Sequence, residues 1–204
     1  TIDYITISTI GNATDFGDLT LAKSYITGCS SDTRGIFAGG QYPYSDAIDY
    51  ITIATLGNAT DFGDLTVARR QLAGVSSSTR GVFGGGTGYV NTMDYITIAT
   101  LGNATDFGDL TLARGWAAGV SSDTRGVFGG GFTAAFTNIM DYITIATTGN
   151  ATDFGDLSVA RYGAGGVSSD TRGVFADGVS SGFVNSDVMD YITISTLGNA
   201  TDFG

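Results

Sequence analysis

The sequence predicts an all-β protein made of tandem copies of a four-stranded antiparallel sheet. One stretch, Asp-Tyr-Ile-Thr-Ile-Ala/Ser-Thr-x-Gly-Asn-Ala-Thr-Asp-Phe-Gly, occurs five times, with successive starts 46, 45, 47 and 49 residues apart, at Asp3, Asp49, Asp94, Asp141 and Asp190. A period of this length is typical of arrays of repeated sheets. The chain also has 32 glycines, one proline and no glutamate among its 20 acidic residues. Asp favours turns where Glu favours helices, so the composition indicates a turn-rich β protein.

Each complete unit contains four strand candidates, taken here from the second unit. Strand a covers residues 74–77, strand b 81–85, strand c 95–100 and strand d 105–109. Strand c is a β-branched and aromatic run with alternating polarity, which is typical of a half-buried strand. Gly57-Asn58, between c and d in the first unit, tolerates positive φ and predicts a tight hairpin turn. The glycines that end strand b predict a close approach of neighbouring backbones.

A resemblance to a known family rests on three features of this order. Two adjacent glycines follow the apolar strand b at Gly39-Gly40, Gly84-Gly85 and Gly129-Gly130, whereas the fourth unit departs with Ala176-Asp177-Gly178. An aromatic residue then recurs in strand d, where Phe62, Phe107, Phe154 and Phe203 replace the usual Trp. The chain therefore resembles kelch repeats, and its near-identical tandem copies also resemble repeats of bacteriophage virion and tail proteins. The resemblance implies a kelch-like β-propeller with four-stranded antiparallel blades.

The repeats predict a single domain over residues 1–204, with a leading half-blade at 1–22 and units at 23–67, 68–112, 113–159 and 160–204. Four full units plus a half-blade favour five blade positions over four, and an open or helical stack of blades is the alternative. Because the chain begins and stops within a repeat, we expect it to be a segment of a longer protein.

Composition argues against several functions. The net charge of −11 disfavours binding to nucleic acid and to anionic membranes, and no apolar run is long enough for membrane insertion. There is no His, no Glu and one Cys, so we predict no enzyme, no cofactor and no metal site. Cys29 replaces a valine of the other units and should be a small buried hydrophobe. The repeated Asp61 and Asp64 should bond turn amides or pair with Arg69 and Arg80, with calcium as the alternative ligand.

Differences between the units concentrate in two segments. The b–c loops have eight, seven, nine and eleven residues, at 41–48, 87–93, 132–140 and 179–189, and the d–a connections differ most in sequence. In an antiparallel meander these two connections emerge at the same end, and the constant a–b and c–d turns emerge at the other. Aromatic side chains are enriched in recognition loops. The candidate ligand-binding residues are Tyr25, Tyr42, Tyr44, Arg70, Gln71, Tyr89, Trp116, Phe132, Phe136, Tyr162 and Phe183.

These observations predict a noncatalytic, extracellular or virion repeat protein that recognises a glycan or a protein surface through this variable face. The alternative is a structural fibre or decoration protein that self-associates through its repeats and has no soluble ligand. Asn-Ala-Thr matches the N-glycosylation pattern, although a turn role also explains it, at Asn12, Asn58, Asn103, Asn150 and Asn199. We further expect Arg80 and Arg125 to contact carboxylates or turn carbonyls. The predicted core between blades comprises Phe83, Phe128, Phe175, Ile51, Ile96 and Ile143.

Overall fold

A computed structural model describes residues 1–203; Gly204, the last residue of the predicted fourth unit, lies outside the described residues. These residues form an all-β structure without helices, as predicted. The strands are β1 Ile2–Tyr4, β2 Thr14–Gly17, β3 Thr27–Ser30, β4 Arg34–Ala38, β5 Ala47–Thr52, β6 Thr60–Asp64, β7 Ala73–Ser76, β8 Arg80–Gly84, β9 Thr92–Thr97, β10 Thr105–Asp109, β11 Ala118–Ser121, β12 Arg125–Gly129, β13 Ile139–Thr144, β14 Thr152–Asp156, β15 Arg161–Tyr162, β16 Gly165–Ser168, β17 Arg172–Ala176, β18 Val179–Ser180, β19 Val184–Asn185, β20 Met189–Thr193 and β21 Thr201–Asp202.

The strands form repeated four-stranded antiparallel sheets in the predicted order a-b-c-d. These sheets are β3-β4-β5-β6, β7-β8-β9-β10, β11-β12-β13-β14 and β16-β17-β20-β21. They are preceded by the two-stranded sheet β1-β2. In the fourth unit, β18 and β19 of the long b–c loop pair with β15 of the d–a connection in the small sheet β15-β18-β19. The a strands of consecutive sheets contact one another, β3 with β7, β7 with β11 and β11 with β16. Successive sheets therefore stack along a line of a strands.

The predicted bounds of strand c and the predicted hairpin turn are wrong. In the second unit strand c is β9, Thr92–Thr97, and the turn follows at once, where the Thr100 amide donates to the Thr97 carbonyl over 3.0 Å. Gly57 and Asn58 bond to the preceding repeat instead. The Gly57 amide donates to the Phe16 carbonyl over 2.9 Å, and Asn58 Oδ1 accepts from the Asp18 amide over 3.0 Å. The constant Gly-Asn pair thus links one repeat to the next.

The hydrophobic core lies between consecutive sheets. One cluster, for example, combines Val82 and Phe107 of the second unit with Phe128 and Ile143 of the third. The predicted burial of Phe83, Phe128, Phe175, Ile96 and Ile143 is confirmed. Ile51 is only half-buried, which contradicts its prediction. Its side of the first four-stranded sheet faces β1-β2, which has two strands instead of four and leaves part of the sheet uncovered.

A buried ion pair recurs in every four-stranded unit. Arg69 Nη2 lies 2.8 Å from Asp94 Oδ2, and the equivalent pairs are Lys23–Asp49, Arg114–Asp141 and Arg161–Asp190. The carboxylate stands on strand c, so the predicted pairing of Arg69 with Asp61 or Asp64 is wrong. Burial lowers the pKa of Arg69 and of Arg114, and their Asp partners oppose this shift. Removing one partner of such a pair would leave an uncompensated buried charge.

A second set of arginines links neighbouring sheets, because each guanidinium contacts a Tyr ring of its own sheet and a carbonyl of the next unit. The Arg80 guanidinium lies 4.4 Å from the centre of the Tyr95 ring and donates to the Ile145 carbonyl of the next unit over 2.9 Å. Arg125 makes the same contacts with Tyr142 and Ile194. Their predicted role as repeated contacts to carbonyl groups is confirmed.

The outer side of the fourth sheet is uncovered. Val167 on β16 is 68% exposed, whereas its equivalents Val75 and Val120 are each 2% exposed under the following sheet. Residues 1–203 accordingly show repeated sheets but no closed ring. They also contain no helix long and apolar enough to cross a membrane.

Candidate functional site

The two variable segments of each unit lie together at one end of the sheets. In the third unit the Phe132 amide of the b–c loop donates to the Gly115 carbonyl of the d–a connection over 2.9 Å, and the Gly115 amide donates back over 3.2 Å. In the second unit the Thr87 amide donates to the Arg70 carbonyl over 2.9 Å. This shared position is what strand parity predicts. It forms a surface, here called the variable face, from the d–a connections and the b–c loops.

The base of each d–a connection is held by the buried ion pair. Asp94, for example, accepts from the Thr66 hydroxyl over 2.6 Å and pairs with Arg69, whose Nη2 also donates to the Phe83 carbonyl over 3.1 Å. Arg69 is followed directly by Arg70 and Gln71 on the variable face. Each buried pair therefore anchors the start of a variable segment, which gives its side chains a rigid support.

One residue in each d–a connection has a left-handed backbone. Tyr25, Gln71 and Trp116 occupy the same place in three units with φ of 56°, 61° and 62°, and Gly163 takes that place in the fourth with φ of 69°. The Gln71 amide donates to the Tyr25 carbonyl over 3.1 Å, and Trp116 donates to Gln71 in the same way over 2.9 Å. For residues other than glycine this conformation costs about 1–3 kcal/mol each, and such strain concentrates at functional sites.

Aromatic rings form a continuous network across the variable face. Ring centres lie 5.2 Å apart for Tyr25 and Trp116, 5.7 Å for Trp116 and Tyr162, and 5.4 Å for Tyr162 and Phe132. Phe136 stacks on Tyr162 and contacts Phe183, while Tyr89 contacts Phe132. These distances are typical of favourable aromatic pairs. The network joins side chains from all four units into one surface.

A cleft of about 380 Å³ opens within this network. Its aromatic walls come from both kinds of variable segment, and its polar groups are Arg70, Gln71 and Thr87. The full lining is Arg70, Gln71, Thr87, Gly88, Tyr89, Trp116, Phe132, Tyr162 and Phe183. The volume and the mixture of rings with a few polar groups are typical of small-molecule sites.

The structure brings together most of the predicted site residues. Seven of the eleven line the cleft: Arg70, Gln71, Tyr89, Trp116, Phe132, Tyr162 and Phe183. Tyr25, Tyr44 and Phe136 border it through contacts with Arg70 or with other rings. Tyr42 lies 72% exposed and has no ring contact among the described residues. Thr87 was missed, although its place directly after the glycines that end strand b puts it at the start of a variable loop.

The opposite end of the sheets, here called the constant end, is formed by the a–b and c–d turns and has a different kind of surface. Each of four c–d turns forms a shallow groove, such as the groove of about 270 Å³ beside Tyr95 and Asn103. Asn103 Oδ1 accepts from the Asp64 amide over 3.1 Å, so the repeated asparagine serves contacts between repeats. All five candidate glycosylation residues are exposed, and their modification stays a prediction. Equivalent grooves occur in all four units, so we attribute them to the packing of one repeat on the next.

The carboxylates and the thiol do not form a cluster suited to a metal ion within residues 1–203. No group of three or more Cys and Asp side chains in that part of the chain is arranged to hold a metal ion. Cys29 is half-buried with its Sγ directed at Gly81, and burial raises the pKa of its thiol to about 12. The predicted small hydrophobic role of Cys29 is consistent with this packing against the core.

No protein-family model matches this sequence, and a search of curated proteins finds no match either. The variable face is therefore the feature of the chain that points to a function.

Proposed function

We propose that this chain is a noncatalytic recognition module that binds carbohydrate in the aromatic cleft of the variable face. The observation that carries the proposal is the continuous network of rings from four units around one cleft with polar groups at its wall. Sugar rings have apolar faces that stack on Trp and Tyr, and their hydroxyls bond to amide and hydroxyl groups such as those of Gln71 and Thr87. A flat protein surface is the alternative ligand for the same face.

We also propose the arrangement of the sheets and the location of the protein. The sheets are blades of a kelch-like β-propeller with five positions favoured over four, in which β1-β2 is a half-blade. The repeated contacts between a strands and the Arg-to-carbonyl bonds between neighbouring sheets support a regular radial arrangement. The aromatic variable face suits an extracellular or virion-surface protein, such as a phage tail component, and the uncompensated negative charge argues against nucleic acid as a partner.

A glycan array tests the recognition function. We expect the chain to bind a defined group of glycans and the variant Trp116→Gly to bind them about 30-fold more weakly, because an aromatic anchor of a site contributes about 2 kcal/mol or more. Glycine suits the backbone at this position, where φ is 62°, so the substitution removes the ring without added strain.

The matched control is Leu101→Ala, which shortens a side chain that is 50% exposed on the constant end. This variant should bind as the original chain does. Absence of glycan binding by the original chain, or equal binding by Trp116→Gly, would exclude a carbohydrate site in the cleft.

A structural role is the second candidate, favoured by the uncovered outer side of the fourth sheet. Val167 is exposed there, whereas the next sheet of the same chain covers Val75 and Val120. A repeat from another molecule would bury the same apolar surface. Regular filaments in electron micrographs, formed without any ligand binding, would favour this structural role over recognition.

A further inference from the structure

We propose that the cleft selects acidic sugars and that Arg70 binds their carboxylate while the aromatic rings hold the sugar ring. This inference rests on the proposed function and adds the class of carbohydrate. It follows from the position of one guanidinium among the cationic groups of the chain.

Arg70 differs from every other basic side chain. The chain has nine Lys and Arg residues. Four belong to the buried ion pairs: Lys23, Arg69, Arg114 and Arg161. Four more each lie over the Tyr of their own sheet: Arg34, Arg80, Arg125 and Arg172. Arg70 belongs to neither set, because its equivalents in the other units are Ser24, Gly115 and Tyr162.

The Arg70 side chain is held in place without a carboxylate partner. Its Nε donates to Thr87 Oγ1 over 3.1 Å, and its guanidinium carbon lies 5.2 Å from the centre of the Tyr44 ring and 5.6 Å from that of Tyr25. No salt bridge to Arg70 occurs within residues 1–203. Both terminal nitrogens therefore retain their N–H donors for a ligand, and a planar guanidinium with free donors on both nitrogens matches the geometry of a carboxylate.

The surroundings of Arg70 favour an anion that also carries a ring. Arg70 lines the same cleft as Trp116, Tyr89 and Tyr162, and Gln71 and Thr87 add neutral polar groups between them. The net charge of −11 opposes general attraction of anions to the surface, so binding of an acid requires this local contact. A uronic or sialic acid supplies both parts, a pyranose ring for the aromatic wall and a carboxylate for the guanidinium.

Methyl β-glucuronide and methyl β-glucoside provide the test, since they differ only at C6, which is a carboxylate in the first and a hydroxymethyl group in the second. Trp116 is the one tryptophan of the sequence and lines the cleft, so its fluorescence reports binding of either glycoside. We expect the glucuronide to bind about tenfold more tightly, because a charge-assisted bidentate contact is stronger than a neutral one. The preference should fall as salt is added.

Three variants locate the preference. Arg70→Gln should bind the two glycosides with equal affinity, and Arg70→Lys should keep the charge but only part of the preference. The matched control Arg172→Gln removes the same charge from an exposed arginine of the repeated set and should keep the full preference.

Equal affinity of the original chain for both glycosides, or a preference that persists in Arg70→Gln, would overturn the assignment. Equal binding of both glycosides would leave the carbohydrate function intact and remove only the acid selectivity. Binding of neither glycoside, with binding of an acidic peptide that requires Arg70, would instead identify a protein ligand and overturn both proposals.

Discussion

Some positions hold a different residue in one repeat than in the others, and these differences show what each position tolerates. Cys29 is the clearest example. It occupies the place of Val75, Val120 and Val167, with its thiol against Gly81 of the next unit. Lys23 similarly replaces the arginine of the other buried ion pairs and still reaches its carboxylate, 3.1 Å away. The repeat therefore accepts changes that keep volume or charge at positions where two sheets meet.

The buried thiol predicts a pH dependence of stability. The pKa of Cys29 is raised from an ordinary value of 9.0 to about 12 in the folded protein. The unfolded chain loses this proton first, so the free energy of unfolding should fall as pH rises from 9 toward 12, by at most about 1.4 kcal/mol per pH unit.

Urea denaturation at several pH values measures this effect against the variant Cys29→Val. The free energy of unfolding of Cys29→Val minus that of the original chain should be independent of pH below 9 and should increase above it. A constant difference from pH 8 to 11 would show that the thiol ionises as easily in the folded protein as in the unfolded one.

At the scale of the strands and sheets, burial depends on which neighbour a sheet has. Phe83, Phe128 and Phe175 are fully buried against the preceding four-stranded sheet. Phe37 is half-buried, because its preceding neighbour is the two-stranded β1-β2. For the same reason Ile51 is half-buried, whereas Ile96 and Ile143 are buried. Sequence alone predicted equal burial for Ile51 because its local pattern is identical; the exposed fraction is set by the adjoining sheet.

Truncation of these phenylalanines should reveal the difference. Phe128→Ala should lower the free energy of unfolding by about 3–5 kcal/mol, as expected for a fully buried ring. Phe37→Ala should cost less, since its ring is partly in contact with water already.

Urea denaturation of both variants, with the original chain as reference, provides the measurement. Equal losses would indicate that Phe37 is as well covered as Phe128 and that the first sheet has a complete neighbour.

For the whole molecule, the sequence predicted the repeat, its strand order and the common end of the variable segments, because all three follow from period and strand parity. It did not predict the left-handed backbone at Tyr25, Gln71 and Trp116, since none of these residues favours that conformation. Only Gly163 at the equivalent place hinted at it. Nor did it predict that Asp94 pairs with Arg69, because that contact joins residues far apart in sequence. The cleft depends on both features, which anchor and direct its side chains.

The central claim is that segments from different units form one recognition surface at one end of the sheets. Mapping of amide chemical shifts by NMR, with the glycan that binds best on the array, tests it most directly. We predict that the Trp116 indole and the amides of Gln71, Thr87 and Tyr162 shift together with a single affinity, while Gly102 and Asn103 on the constant end do not change. Shifts concentrated at Gly102, Asn103 and their equivalents in the other c–d turns would contradict the claim.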